Sequence, residues 1–169
     1  MRNLIFQKAF IFSSLLLMFG CETVNEDKPD ITGQLTSFSD CKYQKAGEIT
    51  AEIADSLSCV KYIYNINDKR LLLTHINAGF NCCPENIYCS ISIKNDTITI
   101  QQYEESALCD CNCLYDLDIE IKGVIAQEYH IKFIEPYLQN QEEIIFSINL
   151  DISNEGSYCV TRIHYPWGI

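Results

Sequence analysis

The fold of this chain is decided by the stretch Cys109-Asp-Cys-Asn-Cys-Leu-Tyr-Asp-Leu-Asp-Ile-Glu-Ile121. Along a β-strand the side chains alternate between two faces, so the odd-numbered positions share one face. That face carries three cysteines and then four apolar side chains: Cys109, Cys111, Cys113, Tyr115, Leu117, Ile119 and Ile121. The other face is mostly carboxylate: Asp110, Asn112, Asp116, Asp118 and Glu120. The pattern predicts a half-buried strand anchored at its start by disulfides or a metal, and it specifies no reaction.

Shorter segments with the same alternation occur through much of the chain. They predict strands over residues 60–66, 70–77, 87–93, 98–100, 129–133, 144–150 and 158–165. Asn95-Asp96 is a tight-turn pair and predicts a hairpin. Ile49, Ile53 and Leu57 are spaced four apart, which predicts a short helix over residues 47–57. About eight short strands predict an all-β, antiparallel two-layer β-sandwich, with an Ig-like arrangement left open and a β-barrel as the alternative.

The amino-terminal residues resemble a bacterial secretion signal. A weakly basic start precedes an apolar run over residues 9–19, which is too short to span a membrane as a helix. Leu17-Met-Phe-Gly-Cys21 resembles the lipobox of bacterial lipoproteins, and the resemblance implies lipidation of Cys21. The expected organisation is a signal peptide at 1–20, a lipidated flexible tether at 21–40 and a disulfide-braced domain at 41–169. The alternative is a soluble secreted protein that is cleaved nearby and uses Cys21 in a disulfide.

The formal net charge of −11 narrows the range of partners. Proteins that bind nucleic acids place Lys and Arg against phosphates, and this chain has 23 acidic against 12 basic residues. The same balance disfavours direct adhesion to an anionic membrane surface. We therefore expect no nucleic-acid partner, membrane contact through the lipid anchor alone, and a location at the bacterial outer membrane, on its periplasmic or cell-surface face.

Ten cysteines in a secreted chain predict disulfides. Without Cys21, nine remain, so at most four bridges form and one sulfur is left over. Neighbouring cysteines on one strand face are about 6.6 Å apart, near the upper limit for a bridge, so they should find partners elsewhere. We expect Cys82, Cys83 and Cys89 to face Cys109, Cys111 and Cys113, and Cys59 to pair with Cys159. Cys41 is then left over or replaces one of these.

A metal site is the rival interpretation of the same sulfurs. The candidate ligands for zinc or copper are Cys82, Cys83, Cys109, Cys111 and Cys113. The chain contains no CxxC pair, which argues against zinc and removes thioredoxin-like and c-type haem interpretations. Disulfides remain the first expectation, with no cofactor.

The histidines and one row of carboxylates are the remaining candidates for chemistry. His75 lies in an apolar strand and is expected to be structural, His130 should face solvent, and His164 belongs to an aromatic C-terminal patch that would close the end of the sandwich. Asp116, Asp118 and Glu120 share a strand face, which is far more typical of a solvated surface than of a calcium or glycosidase site. Five aromatic residues are candidates for stacking on a sugar: Tyr62, Tyr64, Tyr103, Tyr165 and Trp167.

Several motifs together resemble a family of cysteine-rich lipoproteins from Gram-negative bacteria. The motifs are Asn77-Ala-Gly-Phe-Asn-Cys-Cys-Pro84, Cys109-Asp-Cys-Asn-Cys-Leu-Tyr-Asp-Leu117, Glu135-Pro-Tyr137, Gly156-Ser-Tyr-Cys-Val160 and His164-Tyr-Pro-Trp167. The resemblance covers roughly residues 59–168 and implies a location and an architecture, but no activity. We expect a non-enzymatic binding or structural module of the cell envelope, with an envelope protein or a glycan as its ligand. The alternatives are a metal-binding lipoprotein and, third, a carboxylate-dependent hydrolase.

Overall fold

Nine β-strands form two sheets in the computed structural model, which describes residues 30–42 and 53–167. The strands are β1 Thr32–Phe38, β2 Leu57–Asn65, β3 Arg70–Asn81, β4 Pro84–Lys94, β5 Thr97–Ala107, β6 Asn112–Lys122, β7 Glu128–Ile134, β8 Ile145–Asn149 and β9 Glu155–Thr161. One sheet has the order β1-β6-β3-β2-β9 and the other β4-β5-β7-β8. Among the described strands the two sheets share a core and do not close into a barrel, so the predicted β-sandwich is confirmed.

Strand direction and order differ from the expectation in two respects. Hydrogen-bonded neighbours are antiparallel except β5 and β7, which are parallel. Between these two strands the chain passes through β6 in the other sheet, so it reverses twice and returns in its original direction. The order of the described strands is also not the Ig order, in which the first, second, fifth and fourth strands form one sheet.

Strand β6 has the two faces that the sequence predicts. Its inward residues are at most 4% exposed: Cys113, Tyr115, Leu117, Ile119 and Ile121. Asp118, on the opposite face, is exposed. The strand lies between β1 and β3 and pairs with both. The strand predicted over residues 113–121 is confirmed, but Cys109 and Cys111, which the alternation places on the same strand face, lie in the loop that leads into β6.

The expectation of a flexible tether up to residue 40 is wrong for its last part. Residues 32–38 form β1, an edge strand that pairs with β6. Leu35 packs against the core, and Ser37 Oγ donates to Asp118 Oδ2 at 2.8 Å. β1 has only two large apolar side chains, Leu35 and Phe38, among polar residues, so its sequence resembles a polar linker. The folded domain therefore begins before residue 41.

Three further predictions can be compared with the structure. The helix prediction over 47–57 falls mostly on residues 43–52, outside the described residues, and Leu57 begins β2 instead of ending a helix. The last strand ends at Thr161, not Tyr165. The hairpin at Asn95-Asp96 is confirmed: it joins β4 to β5, and both residues have positive φ, 47° and 61°, as a type I′ turn requires. The signal peptide and Cys21 also lie outside the described residues.

Candidate functional site

Four disulfides join eight of the cysteines in the described part of the chain: Cys41–Cys113, Cys59–Cys159, Cys82–Cys111 and Cys83–Cys109. The predicted Cys59–Cys159 bridge links directly opposed residues of β2 and β9, with Cα atoms 4.0 Å apart. Two other bridges fasten the turn between β3 and β4 to the loop before β6. As expected, no bridge joins neighbours within the Cys109–Cys113 run, and the cross-links tie distant segments together.

Cys89 is the free cysteine of the described residues. The expected pairing of Cys82, Cys83 and Cys89 with the 109–113 run is correct for two bridges and wrong for the third. After β1 the chain continues beside β6, since Ser39 N–H donates to Asp116 O and Lys42 N–H to Leu114 O, both at 2.9 Å. This places Cys41 next to Cys113, whereas Cys89 lies on β4 in the other sheet.

The five sulfurs considered for zinc or copper are all oxidised: Cys82, Cys83, Cys109, Cys111 and Cys113. A disulfide offers no thiolate, which is the form of cysteine that binds these metals. Residues 30–42 and 53–167 contain no other group of three or more His, Cys, Asp or Glu side chains arranged to hold a metal ion.

A buried polar cluster, formed by Ser58, His75, Gln102, Glu135 and Arg162, links the two sheets. His75 Nε2 lies 2.9 Å from Ser58 Oγ, and Gln102 Nε2 donates to His75 Nδ1 at 2.7 Å. Arg162 Nη2 donates to Glu135 Oε2 at 2.5 Å, and Glu135 Oε1 lies 3.8 Å from His75 Nε2. All five residues are at most 7% exposed. Buried polar groups are retained at low cost only when they satisfy one another, as most of these do.

The buried polar cluster contains a hydroxyl, an imidazole and a carboxylate, but its geometry is not that of a hydrolase. In a catalytic triad the carboxylate holds Nδ1 and the hydroxyl binds Nε2. Here Ser58 and Glu135 both lie at Nε2 of His75, and Gln102 donates to Nδ1. Ser58 and His75 are completely buried, so no substrate reaches the hydroxyl. The predicted structural role of His75 is confirmed, and its ring is neutral because burial, with the nearby Arg162 charge, lowers the pKa of His75 to about 3.

This lowered pKa predicts how stability depends on pH. Between pH 6.5 and about 3, His75 is protonated in the unfolded chain but not in the folded chain. The free energy of unfolding therefore falls as the pH is lowered through this range. His75→Gln should reduce that slope by up to about 1.4 kcal/mol per pH unit below pH 6.5 and leave it unchanged above. Urea unfolding at pH 4.5 to 8 measures the difference. Equal slopes in the two proteins would contradict a neutral, buried His75.

Glu135 is the other titrating group of the cluster and acts in the opposite sense. Burial outweighs the attraction of Arg162 and raises the pKa of Glu135. A raised pKa means that the folded state holds its proton more tightly, so the contribution of Glu135 to stability is lost as the pH rises through the folded pKa. The comparison of His75→Gln with the unaltered chain removes this contribution, because Glu135 is present in both.

Trp167 closes the end of the sandwich beside this cluster, as the aromatic C-terminal patch predicts. It is completely buried, its Nε1 donates to Asn77 O at 2.6 Å, and the Arg162 guanidinium lies 5.1 Å from its ring centroid. A Cβ at Gly79 would approach the Trp167 ring to 2.7 Å, so only glycine fits beneath it. His164, three residues before it, is exposed.

The carboxylates of β6 and the solvent-facing groups have structural partners. Asp116 forms an ion pair with Lys42 and accepts from Asn77 N–H. Asp118 accepts hydrogen bonds from the hydroxyls of Ser37 and Thr74. Glu120 forms ion pairs with Arg70 and Lys122. These contacts leave no free carboxylate pair on this face to act as acid and nucleophile. His130 faces solvent as predicted and lies 2.8 Å from Ser147 Oγ. Of the aromatic candidates, Tyr64 and Trp167 are buried, and Tyr103 stacks on Tyr88 at 5.1 Å.

An open cleft runs along one side of the sandwich, between the edge strands β1 and β4. We call it the β1–β4 cleft; its volume is about 610 Å³, and it is lined by residues 33–38 and 86–89. Gly33 closes one end against Ile91, where a Cβ would approach Ile91 Cδ1 to 2.6 Å. Neither lining run contains a charged residue. The opposite side of the sandwich is closed, because Phe146 of β8 stacks on Tyr158 of β9 with ring centroids 5.0 Å apart.

The free Cys89 lines the β1–β4 cleft but is not a nucleophile. Burial raises the pKa of its thiol to about 12. The reactive form of cysteine is the thiolate, which this environment disfavours at neutral pH. Cys89 therefore contributes an apolar wall to the cleft.

Sequence reasoning missed two features of this region. The β1–β4 cleft depends on β1, whose only local signals are Leu35 and Phe38 at an unremarkable spacing. The buried pair of Glu135 and Arg162 gives no local signal either, since each residue adjoins an apolar strand end where charged residues commonly face solvent.

The described residues include no helix with the length and hydropathy needed to cross a membrane. Comparisons with protein-family models, with curated proteins and with solved structures find no match to this chain.

Proposed function

We propose that this protein is a lipid-anchored binding module of the bacterial cell envelope, without enzymatic activity, and that the β1–β4 cleft is its binding surface. The cleft carries the proposal. It is an open recess of about 610 Å³, within the 300–1,000 Å³ range of ligand sites. Of the groups considered for chemistry, the clustered sulfurs are oxidised, His75 is buried and the β6 carboxylates are paired, while burial keeps Cys89, which lines the cleft, in its thiol form.

The disulfides support the proposed location. Four bridges of this kind persist in oxidising compartments such as the periplasm or the cell surface. The lipobox-like run that ends at Cys21 would supply the anchor, and several acyl chains on one cysteine give the stable attachment that a single chain does not. The ligand would be an envelope protein or a glycan.

One experiment tests both the anchor and the cleft. The full chain is expressed in a Gram-negative host with labelled palmitate, treated with a cell-permeant cross-linker and fractionated. The unaltered chain should be labelled, sediment with membranes and form a discrete cross-linked product. Cys21→Ser should lose the label and leave the membrane fraction. Cys89→Trp, which fills the cleft, should keep the label but lose the cross-linked product, whereas Cys89→Ser should keep both.

Two outcomes would overturn the proposal. An unlabelled, soluble wild-type chain would remove the anchor. A cross-linked product that forms equally with Cys89→Trp and Cys89→Ser would place binding outside the cleft.

A further inference from the structure

We propose that the occupant of the β1–β4 cleft is an extended peptide segment of a partner protein, which adds a strand between β1 and β4. Apart from a Lys or Arg at one end, the side chains of this peptide would be uncharged, and every second one would be apolar. This inference rests on the proposed function and names the class of ligand.

Both walls of the cleft are unpaired strand edges. Among the described strands, β1 pairs only with β6 and β4 only with β5. An edge strand presents a row of free N–H and C=O groups that a further strand can use. An added strand would enter from the end of the cleft away from Gly33, because Gly33 already contacts Ile91 and leaves no room there for a strand about 4.8 Å from each edge.

The register of each strand indicates which backbone groups are free. The two-residue turn after Lys94 makes Lys94 and Thr97 a hydrogen-bonded pair, and such pairs then alternate along the hairpin. Counted back from Lys94 in steps of two, the hydrogen-bonded residues of β4 are the even-numbered ones. The odd-numbered Ile87 and Cys89 therefore point their N–H and C=O groups away from β5. On β1, Ser39 N–H donates to β6, so Phe38, one residue earlier, points its backbone away from β6. These free groups line the β1–β4 cleft.

The edges that line the cleft lack most of the usual protection against pairing. Proteins commonly block edge strands with charged residues or proline. Residues 32–38 and 86–89 contain neither, and the main interruption is a bulge between Leu35 and Ser37. On the opposite side of the sandwich β8 is only five residues long, and the stacked rings of Phe146 and Tyr158 fill the space between the sheets.

The side chains of the cleft specify an alternating occupant. Leu35, Ile87 and Cys89 face inward and present apolar atoms along its floor. A strand bound there would turn every second side chain toward this floor and the others to solvent. The run from Gln34 to Phe38 is five residues long, which corresponds to about 17 Å of extended chain.

The acidic residues at one end of the cleft determine which type of residue is preferred at the end of the peptide. Gly33 lies against Ile91, and the cleft extends from there toward Phe38 on one wall and Asn86 on the other, so β1 and β4 run in opposite directions along it. The exposed Asp40 and Glu85 therefore lie at the same, open end. Glu105, exposed as well, pairs with Asn86 in the hairpin. Carboxylates there favour a cationic residue at one end of the peptide.

The test begins with a random nine-residue peptide library displayed on phage. The library is selected on the mature full chain and counter-selected on Cys89→Trp, and the enriched peptides are synthesised. They should alternate apolar and polar residues and carry Lys or Arg at one end. Cys89→Pro, which removes a free N–H without breaking the β4–β5 ladder, should weaken their binding about tenfold. Cys89→Ala keeps that N–H and should bind as the unaltered chain does.

Two further measurements accompany the affinities. Asp40→Asn combined with Glu85→Gln should weaken peptides with a basic end by about two- to fivefold, but not the same peptides ending in Gln, and Glu155→Gln on β9 is the matched control. Bound peptide should slow amide hydrogen exchange in residues 32–38 and 86–89 of the unaltered chain, a measurement that remains decisive if Cys89→Pro does not fold.

The outcomes separate this inference from the proposed function. No enrichment, peptides without alternation, equal binding to Cys89→Pro and Cys89→Ala, or unchanged exchange at the two edges would overturn strand addition. If the cross-linked product in cells still requires an open cleft, the binding function stands with a different ligand. If the cross-linked product also forms equally well with Cys89→Trp, both proposals fail.

Discussion

Replacing Cys59 and Cys159 together by alanine should lower the free energy of unfolding by about 4–5 kcal/mol. A disulfide restricts the unfolded chain, and in the chain-entropy account the effect grows with the length of the loop that it closes. This bridge spans 100 residues, the longest separation of the four. Domains are typically stable by about 5–15 kcal/mol, so the loss is a large part of the total. Urea unfolding of the oxidised proteins provides the measurement.

The matched control is the pair Cys83→Ala and Cys109→Ala, which removes a bridge across only 26 residues. The same relation gives at most about 3.5 kcal/mol for that loop, and the loss should be smaller because the neighbouring Cys82–Cys111 bridge still closes it. Removing Cys59 also takes a buried side chain from the sheet, which increases the difference. A greater loss for the shorter loop would contradict the entropic account and indicate that local packing at the β3–β4 turn dominates.

Replacing Arg162 by methionine should destabilise the fold by about 3–5 kcal/mol. The substitution leaves the carboxylate of Glu135 buried without its counter-charge, which costs more than the intact pair contributes. It also removes the bond from Arg162 Nη1 to Glu142 O and the contact with Trp167. The double variant Arg162→Met with Glu135→Met should recover most of the loss, because two apolar side chains of similar size replace the buried pair.

Arg70→Met is the control for this second prediction. Arg70 Nε lies 3.1 Å from Glu120 Oε1, but the Arg70 side chain is 42% exposed. Solvent screens such a pair, and its loss should cost less than about 1 kcal/mol. If the two arginine variants were equally stable, or the double variant no better than Arg162→Met, burial of the charge would not be the cause.

The parts of the fold that sequence predicts are those where local pattern and burial agree. β6 alternates between apolar and acidic residues, and one side of it is buried while the other meets water. The Asn95-Asp96 turn needs two residues that tolerate positive φ, and that requirement is visible locally. The Cys59–Cys159 pairing is confirmed, but Cys159 lies near the end of β9 and not at its start, and the antiparallel register sets it opposite Cys59 near the start of β2.

The parts that sequence does not predict depend on tertiary neighbours. β1 is held by Leu35 in the core, by the edge-to-face contact of Phe38 with Tyr115 and by pairing with a strand about 80–90 residues away in the chain. Cys41 rather than Cys89 bridges to Cys113 because β1 places it there. The β1–β4 cleft exists only once both edges are assembled, and the burial of Glu135 and Arg162 requires the C-terminal segment to cover them. No local periodicity encodes these relations.

The long cross-links also impose an order on how the chain matures. Synthesis proceeds from the amino end, so Cys41 emerges 72 residues and Cys59 100 residues before its partner. The β2–β3 and β4–β5 hairpins can close at once, whereas Cys82 and Cys83 appear while both earlier thiols still await their native partners. Premature bridges among these four must then be reopened and exchanged. We therefore expect the yield of correctly joined protein to depend on an oxidoreductase that reshuffles disulfides, as well as on the stability of the finished sandwich.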